Sequence, residues 1–328
     1  MTVRHAARRT ALALSTARLV TLATLATLAT LAGACNDKPA PDTAPPAPST
    51  TSSATAVPAS STPDPMAKAS LDGGDVPTAK ATTTRPSDSY LTKDGALIVT
   101  PIHHATLLLQ HAGKNIYLDP VADGASYAGL PKADYVFITD IHPDHMDPAG
   151  LAKVRQDSTI VVAPSAVNAK MPANVVLDNG ATHDFGTFKV ETVPMYNLKR
   201  GPDAGKLYHD KGRGDGYVFT FGVSGDAGAS TRKAGSDAGG GALVSRVYVS
   251  GDTECTPEMK ALKNIDVAFV CMNLPYTMPP DEAAACVNTF KPRIVYPFHY
   301  KGSDLKTFSD DVKPGNGVEV KLRDWYAE

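Results

Sequence analysis

Cysteine is scarce, with 4 in 328 residues and one of them at position 35. That is too few for a disulfide framework to carry the fold. Aromatics amount to 7% and the formal net charge is -2, so the basic footprint of a nucleic-acid binder is missing. The first thirty-four residues hold four arginines (Arg4, Arg8, Arg9, Arg18) and no acid, so removing them takes the charge from -2 to -6. A nuclease is disfavoured on the same ground. The apolar stretch Leu19 to Ala34 is too short to span a bilayer comfortably. There is no Ser-His-Asp pattern, no nucleophile elbow and no convincing tandem repeat. Serine-based hydrolysis and solenoid architectures are therefore not indicated.

What is present at the N-terminus reads as an export signal. A basic segment precedes four Thr-Leu-Ala triplets between Thr21 and Ala32. Leu31-Ala32-Gly33-Ala34-Cys35 then resembles the lipobox of bacterial lipoproteins, with the leucine four residues rather than three ahead of the cysteine. The resemblance implies an exported protein, anchored to a membrane through lipidated Cys35 in the periplasm or at the cell surface. An ordinary cleaved signal is the alternative. Residues 36 to 88 carry ten of the 26 prolines and few large apolar side chains. Such a segment cannot bury enough surface to offset its ordering entropy, so a disordered tether is expected. The division is then 1–34 signal, 35–88 tether and 89–328 a single domain of roughly 240 residues. A Gly, Ala, Ser and Asp-rich stretch from Ser224 to Gly241 is expected to be a long hairpin loop.

Within the domain, β-branched runs alternate with turn residues. Early runs (Leu97-Pro101, Thr106-Gln110, Asn115-Leu118) follow one another as hairpins. Later runs (Tyr135-Thr139, Thr159-Ala163, Val175-Leu177, Phe188-Val193, Gly216-Phe221, Arg246-Ser250, Val267-Cys271, Arg293-Phe298, Val318-Leu322) are interleaved with helical patterns. Those helices fit near Pro148-Gln156, Pro257-Leu262, Pro280-Phe290 and Ser303-Val312, several opening on proline. The expected class is α/β with α+β layering: two mixed sheets face to face with helices outside, an αββα sandwich.

The strongest chemical signal is Asp140-Ile141-His142-Pro143-Asp144-His145, directly after Tyr135-Val136-Phe137-Ile138. Crowded carboxylates repel and imidazoles lose solvation there unless a cation compensates. Asp252, after Val247-Tyr248-Val249-Ser250-Gly251, and His299, after Ile294-Val295-Tyr296-Pro297-Phe298, also end apolar runs. Alone, each reads as a turn or structural residue; with the first cluster they form an ordered series. Cys271 and Cys286 read as packing residues. Cys255 reads as structural or a free thiol, close enough in sequence to Asp252 to approach a metal.

This series resembles the metallo-β-lactamase fold superfamily, with its His-x-His-x-Asp-His motif, distant His, bridging Asp and C-terminal His on one rim. The resemblance runs from Leu97 to His299. It is similar to the branch containing ascorbate-6-phosphate lactonase and the N-acylphosphatidylethanolamine phospholipase D, through His104-Ala105-Thr106, Leu118-Asp119-Pro120 and Pro297-Phe298-His299-Tyr300. It implies one metal position built from Asp144, His145 and His299 with Asp252 bridging. A second position has Asp140 in place of the first histidine and keeps His142. Tyr196-Asn197 stands where its third histidine is expected, and either Asn197 or His209 is left as that ligand. One or two divalent ions are implied, zinc first, with manganese or iron also suited to the oxygen-richer position.

The expected activity is metal-dependent hydrolysis of an ester, lactone or phosphodiester in a small-molecule or lipid-like substrate. Asp144 would orient the nucleophile. Tyr196, His209 or Tyr276 would serve the oxyanion or leaving group, and His104, Lys211 or Arg213 would meet substrate. The rival is a surface lipoprotein that keeps the fold as a metal- or ligand-binding module without turnover.

Overall fold

A computed structural model describes residues 85–222 and 243–326. The export segment, Cys35, the tether up to residue 84 and the Ser224–Gly241 stretch lie outside the described residues. The first sheet begins with β1 (Asp88–Thr92), β2 (Gly95–His103), β3 (Thr106–His111) and β4 (Lys114–Leu118), each antiparallel to the next. It continues in parallel through β5 (Tyr135–Phe137), β6 (Ile160–Ala163) and β7 (Val175–Val176). Helices α1 (Pro148–Val154) and α2 (Ser165–Asn168) lie in its crossovers. The second sheet repeats the plan. β8 (Thr182–Asp184), β9 (Phe188–Met195), β10 (Gly214–Phe221) and β11 (Arg246–Val249) are antiparallel. β12 (Val267–Cys271), β13 (Ile294–Phe298) and β14 (Glu319–Val320) then extend it in parallel from β11. Its connections carry α3 (Pro257–Ala261), α4 (Pro280–Phe290) and α5 (Leu305–Asp311). Two seven-stranded mixed sheets with helices outside form the expected αββα sandwich.

Parallel strands covered on both faces read as unbroken apolar runs, and β5, β12 and β13 are buried at every position. Between the sheets, the Phe137 ring of β5 packs edge-on at 5.1 Å from Tyr217 and 4.9 Å from Phe219 of β10. Outside the first sheet, Tyr117, Val136 and Val161 meet Leu151, Val154 and Val167 of the helical layer. α4 opens on proline, carries Asp281 and Glu282 in its first turn, and buries Ala283, Ala284, Val287 and Phe290. Among the described residues, no helix is long and apolar enough to cross a membrane.

Two features differ from expectation. The first strand begins ahead of Ser89: β1 opens at Asp88, and the Arg85 guanidinium donates to Ile102 O at 2.6 Å. Cys255 is no free thiol near a metal; it is disulfide-bonded to Cys286 of α4, 31 residues on. That bond ties α4 to the loop carrying Asp252. Cys271 is the free cysteine among the described residues, and burial pushes its thiol up to about 12, so it packs and does not react.

Parallel strands run one way, so the loops leaving their C-terminal ends share one rim. Asp119 follows β4, Asp140 to His145 follow β5, and Asp252, Asn273 and His299 follow β11, β12 and β13. Gly251 lets the Asp252 loop pass. Its φ is +59°, and a Cβ there would lie 2.5 Å from Met195 Sδ and 3.2 Å from Thr139 Cβ.

Candidate metal centre

Nitrogen and oxygen atoms from both sheets converge on this rim. His145 Nε2 lies 3.2 Å from His299 Nε2 and 3.3 Å from Asp252 Oδ2. His299 Nε2 lies 3.4 Å from Asp252 Oδ1 and 3.4 Å from Asp144 Oδ2. His209 Nε2 approaches Asp252 Oδ2 from the other side at 3.3 Å. Ligand atoms about 2.1 Å from one cation stand about 3.0 to 3.4 Å apart along the edges of an octahedron or tetrahedron. The observed separations match those edges. His209 Nε2 and Asp252 Oδ1 are also buried without a hydrogen-bond partner, as atoms reserved for a cation would be. The donor set fits a divalent metal.

The imidazoles are aimed from behind. Asp119 accepts from Thr139 N at 2.8 Å and Thr139 Oγ1 at 2.6 Å, and its Oδ2 accepts from His145 Nδ1 at 2.8 Å. This carboxylate–histidine pair leaves Nε2 facing the rim centre. His209 is aimed by Asn197, whose Oδ1 accepts both His209 N at 2.8 Å and His209 Nδ1 at 2.7 Å. The Asn197 amide is itself fixed, since its Nδ2 donates to Tyr276 O at 2.8 Å and Glu254 Oε1 at 3.2 Å. Of the two alternatives left open in sequence, His209 presents the nitrogen and Asn197 holds it. His299 Nδ1 rests on the Asn273 amide at 3.1 Å.

Burial alone would raise the Asp252 carboxyl, yet the charges of His299 and His145 hold it well below the usual carboxylate range. Burial also works against a charged His145, and Asp252 and Asp119 together still hold its pKa well above the ordinary imidazole value. Without a metal the cluster thus keeps a proton on His145, in the place a cation would take.

Asp140, His142 and His209 form a second group whose ligand atoms lie within 4.8 Å of one another. Asp140 is not free within it. Arg213 Nε donates to Asp140 Oδ1 at 3.1 Å and Nη2 to Oδ2 at 3.2 Å, while His142 Nδ1 lies 2.7 Å from Oδ2. Burial raises the Asp140 carboxyl, and His142, His145 and Arg213 outweigh it and keep it well below the usual range. Arg213 is therefore a partner of Asp140 and not a free receptor for substrate.

Asp144 is the accessible member, 42% exposed at its side chain. His104 Nε2 donates to its Oδ2 at 3.0 Å, and His104 Nδ1 faces the Tyr326 hydroxyl at 3.0 Å. Burial keeps His104 below the usual imidazole pKa despite Asp144, which suits a neutral ring donating through Nε2. Tyr326 also accepts from Lys301 N at 3.0 Å. That gives a chain from Lys301 through Tyr326 and His104 to Asp144.

Two expected site residues are placed elsewhere. The Tyr196 hydroxyl donates to Glu258 Oε2 at 3.0 Å, and Lys211 Nζ lies 2.6 Å from Glu258 Oε1 and 4.8 Å over the Tyr196 ring. Both point to α3 and away from the converging ligand atoms. Tyr276 is exposed at the rim, against the Tyr208 ring at 5.1 Å. Tyr326 was absent from the expected site. Asp119 was marked there only through its Asp-Pro turn and Asn197 only as a possible ligand, whereas both hold imidazoles from behind.

A buried group beside the site has its own consequence. Asp215 of β10 has its carboxyl pushed up to about 7, mainly by burial, with Oδ2 unpartnered and its other oxygen held by Asn179. The folded chain therefore keeps a proton between about pH 4 and 7 that the unfolded chain releases, so stability falls as pH rises through that window. Asp215→Asn should remove this fall, which is at most about 4 kcal/mol. Urea unfolding at pH 5 and pH 7.5 measures it; equal pH dependence in both proteins would refute the assignment.

The comparisons agree with this rim. The Beta-lactamase superfamily domain family matches residues 114–300. A solved structure from Parabacteroides distasonis ATCC 8503, by name a metal-dependent hydrolase, is 36% identical, covering 73% of this chain and 99% of its own with a TM-score of 0.63. A UPF0173 metal-dependent hydrolase of Geobacillus sp. (strain WCH70) is 27% identical over 252 residues, 68% of this chain and 99% of the relative. A metallo hydrolase from Ignicoccus hospitalis KIN4/I shares the fold at 19% identity, with a TM-score of 0.53 over 70% of this chain and 95% of its own. The fold and the His/Asp rim define a metal-dependent hydrolase. The chain belongs to the metallo-β-lactamase superfamily, and its relatives include the UPF0173 hydrolases.

Proposed function

We propose that this protein hydrolyses an ester, lactone or phosphodiester with a metal-activated water. The observation that carries the reading is the set of 3.2 to 3.4 Å separations joining His145, Asp252 and His299. These three, with Asp144, would hold one divalent ion, zinc in preference to manganese or iron given two imidazoles in the set. His142, His209 and the far oxygen of Asp252 would hold a second, weaker ion, with Asp140 serving to fix His142. A bound ion there supplies Lewis acidity and a nucleophilic water near neutral pH.

The chain's own groups do the rest. Asp144, whose side chain is 42% exposed, orients the attacking water and takes its proton. The His104–Tyr326 chain holds Asp144 in the rotamer that does so. Asp119 and Asn197 hold Nδ1 of His145 and His209, so that Nε2 of each ring faces the ions. The reading without turnover rests on the histidines missing from the second position, and His209 supplies a replacement for one of them. The resemblance to the lactonase and phospholipase branch keeps lactones and phosphodiesters among the candidate substrates.

The test assays wild type and His145→Ala on a carboxylic ester, a lactone and a phosphodiester. Hydrolysis of one class by wild type, lost in the variant together with bound metal, is expected. Metal-loaded wild type inert on all three would count against it.

We also propose export and anchoring through a lipidated Cys35. The Cys255–Cys286 disulfide supports an oxidising compartment. Cys35→Ser should move the protein from the membrane to the soluble fraction; an unchanged distribution would reject the anchor.

A further inference from the structure

Three of the seven large apolar side chains exposed among the described residues gather at the metal rim: Leu198 at 49%, Leu274 at 49% and Tyr276 at 46%. Leu198 follows Asn197, the residue that holds His209. Leu274 and Tyr276 lie in the loop after β12, between the loops that carry Asp252 and His299. One end of that loop touches His299 through Asn273 at 3.1 Å, and its Tyr276 carbonyl accepts from Asn197 at 2.8 Å. It therefore bridges both sides of the centre. The loop is also a closed turn. Tyr276 N and Thr277 N donate to Asn273 O at 2.9 and 2.8 Å, and Asn273 N donates to Thr277 Oγ1 at 2.7 Å. The apolar side chains are presented to solvent by a fixed backbone, which lowers the ordering cost of binding something against them.

The cations of the neighbouring 199–213 segment point the same way. Lys199 and Arg200 pair with Glu282 at 2.7 and 2.9 Å, Lys211 with Glu258 at 2.6 Å, and Arg213 with Asp140 at 3.1 Å. Each is already neutralised by a carboxylate. An anionic group meeting this segment would have to break one of these pairs, whereas an uncharged one leaves them intact. A cleft of about 240 Å³ beside Leu274 and Pro280 is lined on its far side by Lys301, Ser303 and Asp304, so the chain continues there only as far as those polar groups.

We infer that the substrate is an uncharged carboxylic ester or lactone whose acyl chain lies across Leu198, Leu274 and Tyr276; this rests on the hydrolase reading above. Water adds to the acyl carbon, the carbon–oxygen bond to the alcohol breaks, and the water's proton ends on the departing alkoxide. The products are a carboxylic acid and an alcohol, and no other reactant is consumed.

Alkyl hydroxamates probe the surface without turnover, because their head groups chelate a metal while the tail is varied. Calorimetric titration of the zinc-loaded protein with acetohydroxamate and octanohydroxamate reads the ratio of the two affinities. Tail burial is expected to tighten binding about two- to fourfold per methylene. In Leu198→Ser/Leu274→Ser, two changes at exposed positions, that ratio should collapse toward one. A ratio near one in wild type, a ratio unchanged in the variant, or dimethyl phosphate binding more tightly than octanohydroxamate would each overturn the inference. Wild type that binds no zinc, or no acetohydroxamate, would instead overturn the hydrolase reading and take the inference with it.

Discussion

Asp252→Asn is expected to lower kcat/KM by at least about a thousandfold and to leave the purified protein largely without metal. Asp252 is the one carboxylate that touches every part of the centre. Oδ2 stands 3.3 Å from both His145 and His209, and Oδ1 stands 3.4 Å from His299. The amide keeps the shape but offers one acceptor, no charge, and an NH2 group directed at imidazole nitrogens. Losing several kcal/mol of charge stabilisation at about 1.36 kcal/mol per decade gives the stated factor. Elemental analysis and steady-state kinetics on the same preparation check it. A variant that keeps its metal and stays within tenfold of wild type would show that the bridge has been misread.

Asp119→Ala is the second large effect, and it acts at one remove. Asp119 touches no substrate; its Oδ2 holds His145 Nδ1 at 2.8 Å. Removing such a partner weakens metal binding by about 10- to 100-fold. A structural role alone would also destabilise the chain, because Thr139 N and Oγ1 lose their acceptor. The pH dependence of metal uptake separates the two. Asp119 is one of two carboxylates that hold the His145 pKa well above its ordinary value. A proton competes with the metal for His145 at every pH below that raised value, so apparent affinity falls as pH falls. Without Asp119 the competition should set in at lower pH. Zinc titrations between pH 5.5 and 8.5 report this, and an unshifted profile with lowered thermal stability would mark Asp119 as structural only.

Much of the centre was legible because apolar runs and ligand types adjoin. Tyr135 to Ile138 running straight into Asp140–His145, and similar exits before Asp252 and His299, show strands delivering polar groups at their ends. The groups that aim those ligands were less legible, because their partners lie far off in sequence. Asn197 reads as a lost histidine until the fold brings His209 against its carbonyl. Arg213 reads as a free cation until it meets Asp140, and Tyr326 has no local signal at all. Cys255 and Cys286 meet through the packing of α4 beside β11, which no spacing rule encodes. β1 was not read as a strand because Asp88–Thr92 is short, largely polar and follows a Pro, Ser and Thr-rich segment. Its pairing is set by β2, from Asp88 opposite Val99 to Thr92 opposite Gly95. The three-residue β8 and single-turn α2 are too short for periodicity to register.

Anomalous diffraction at the zinc edge, from crystals of the zinc-loaded protein, tests the central claim most directly. The account predicts a strong peak among His145 Nε2, Asp252 and His299 Nε2, and a weaker one, if occupied, beside His142 and His209. No peak within bonding distance of His145, or zinc held only elsewhere on the surface, would contradict it.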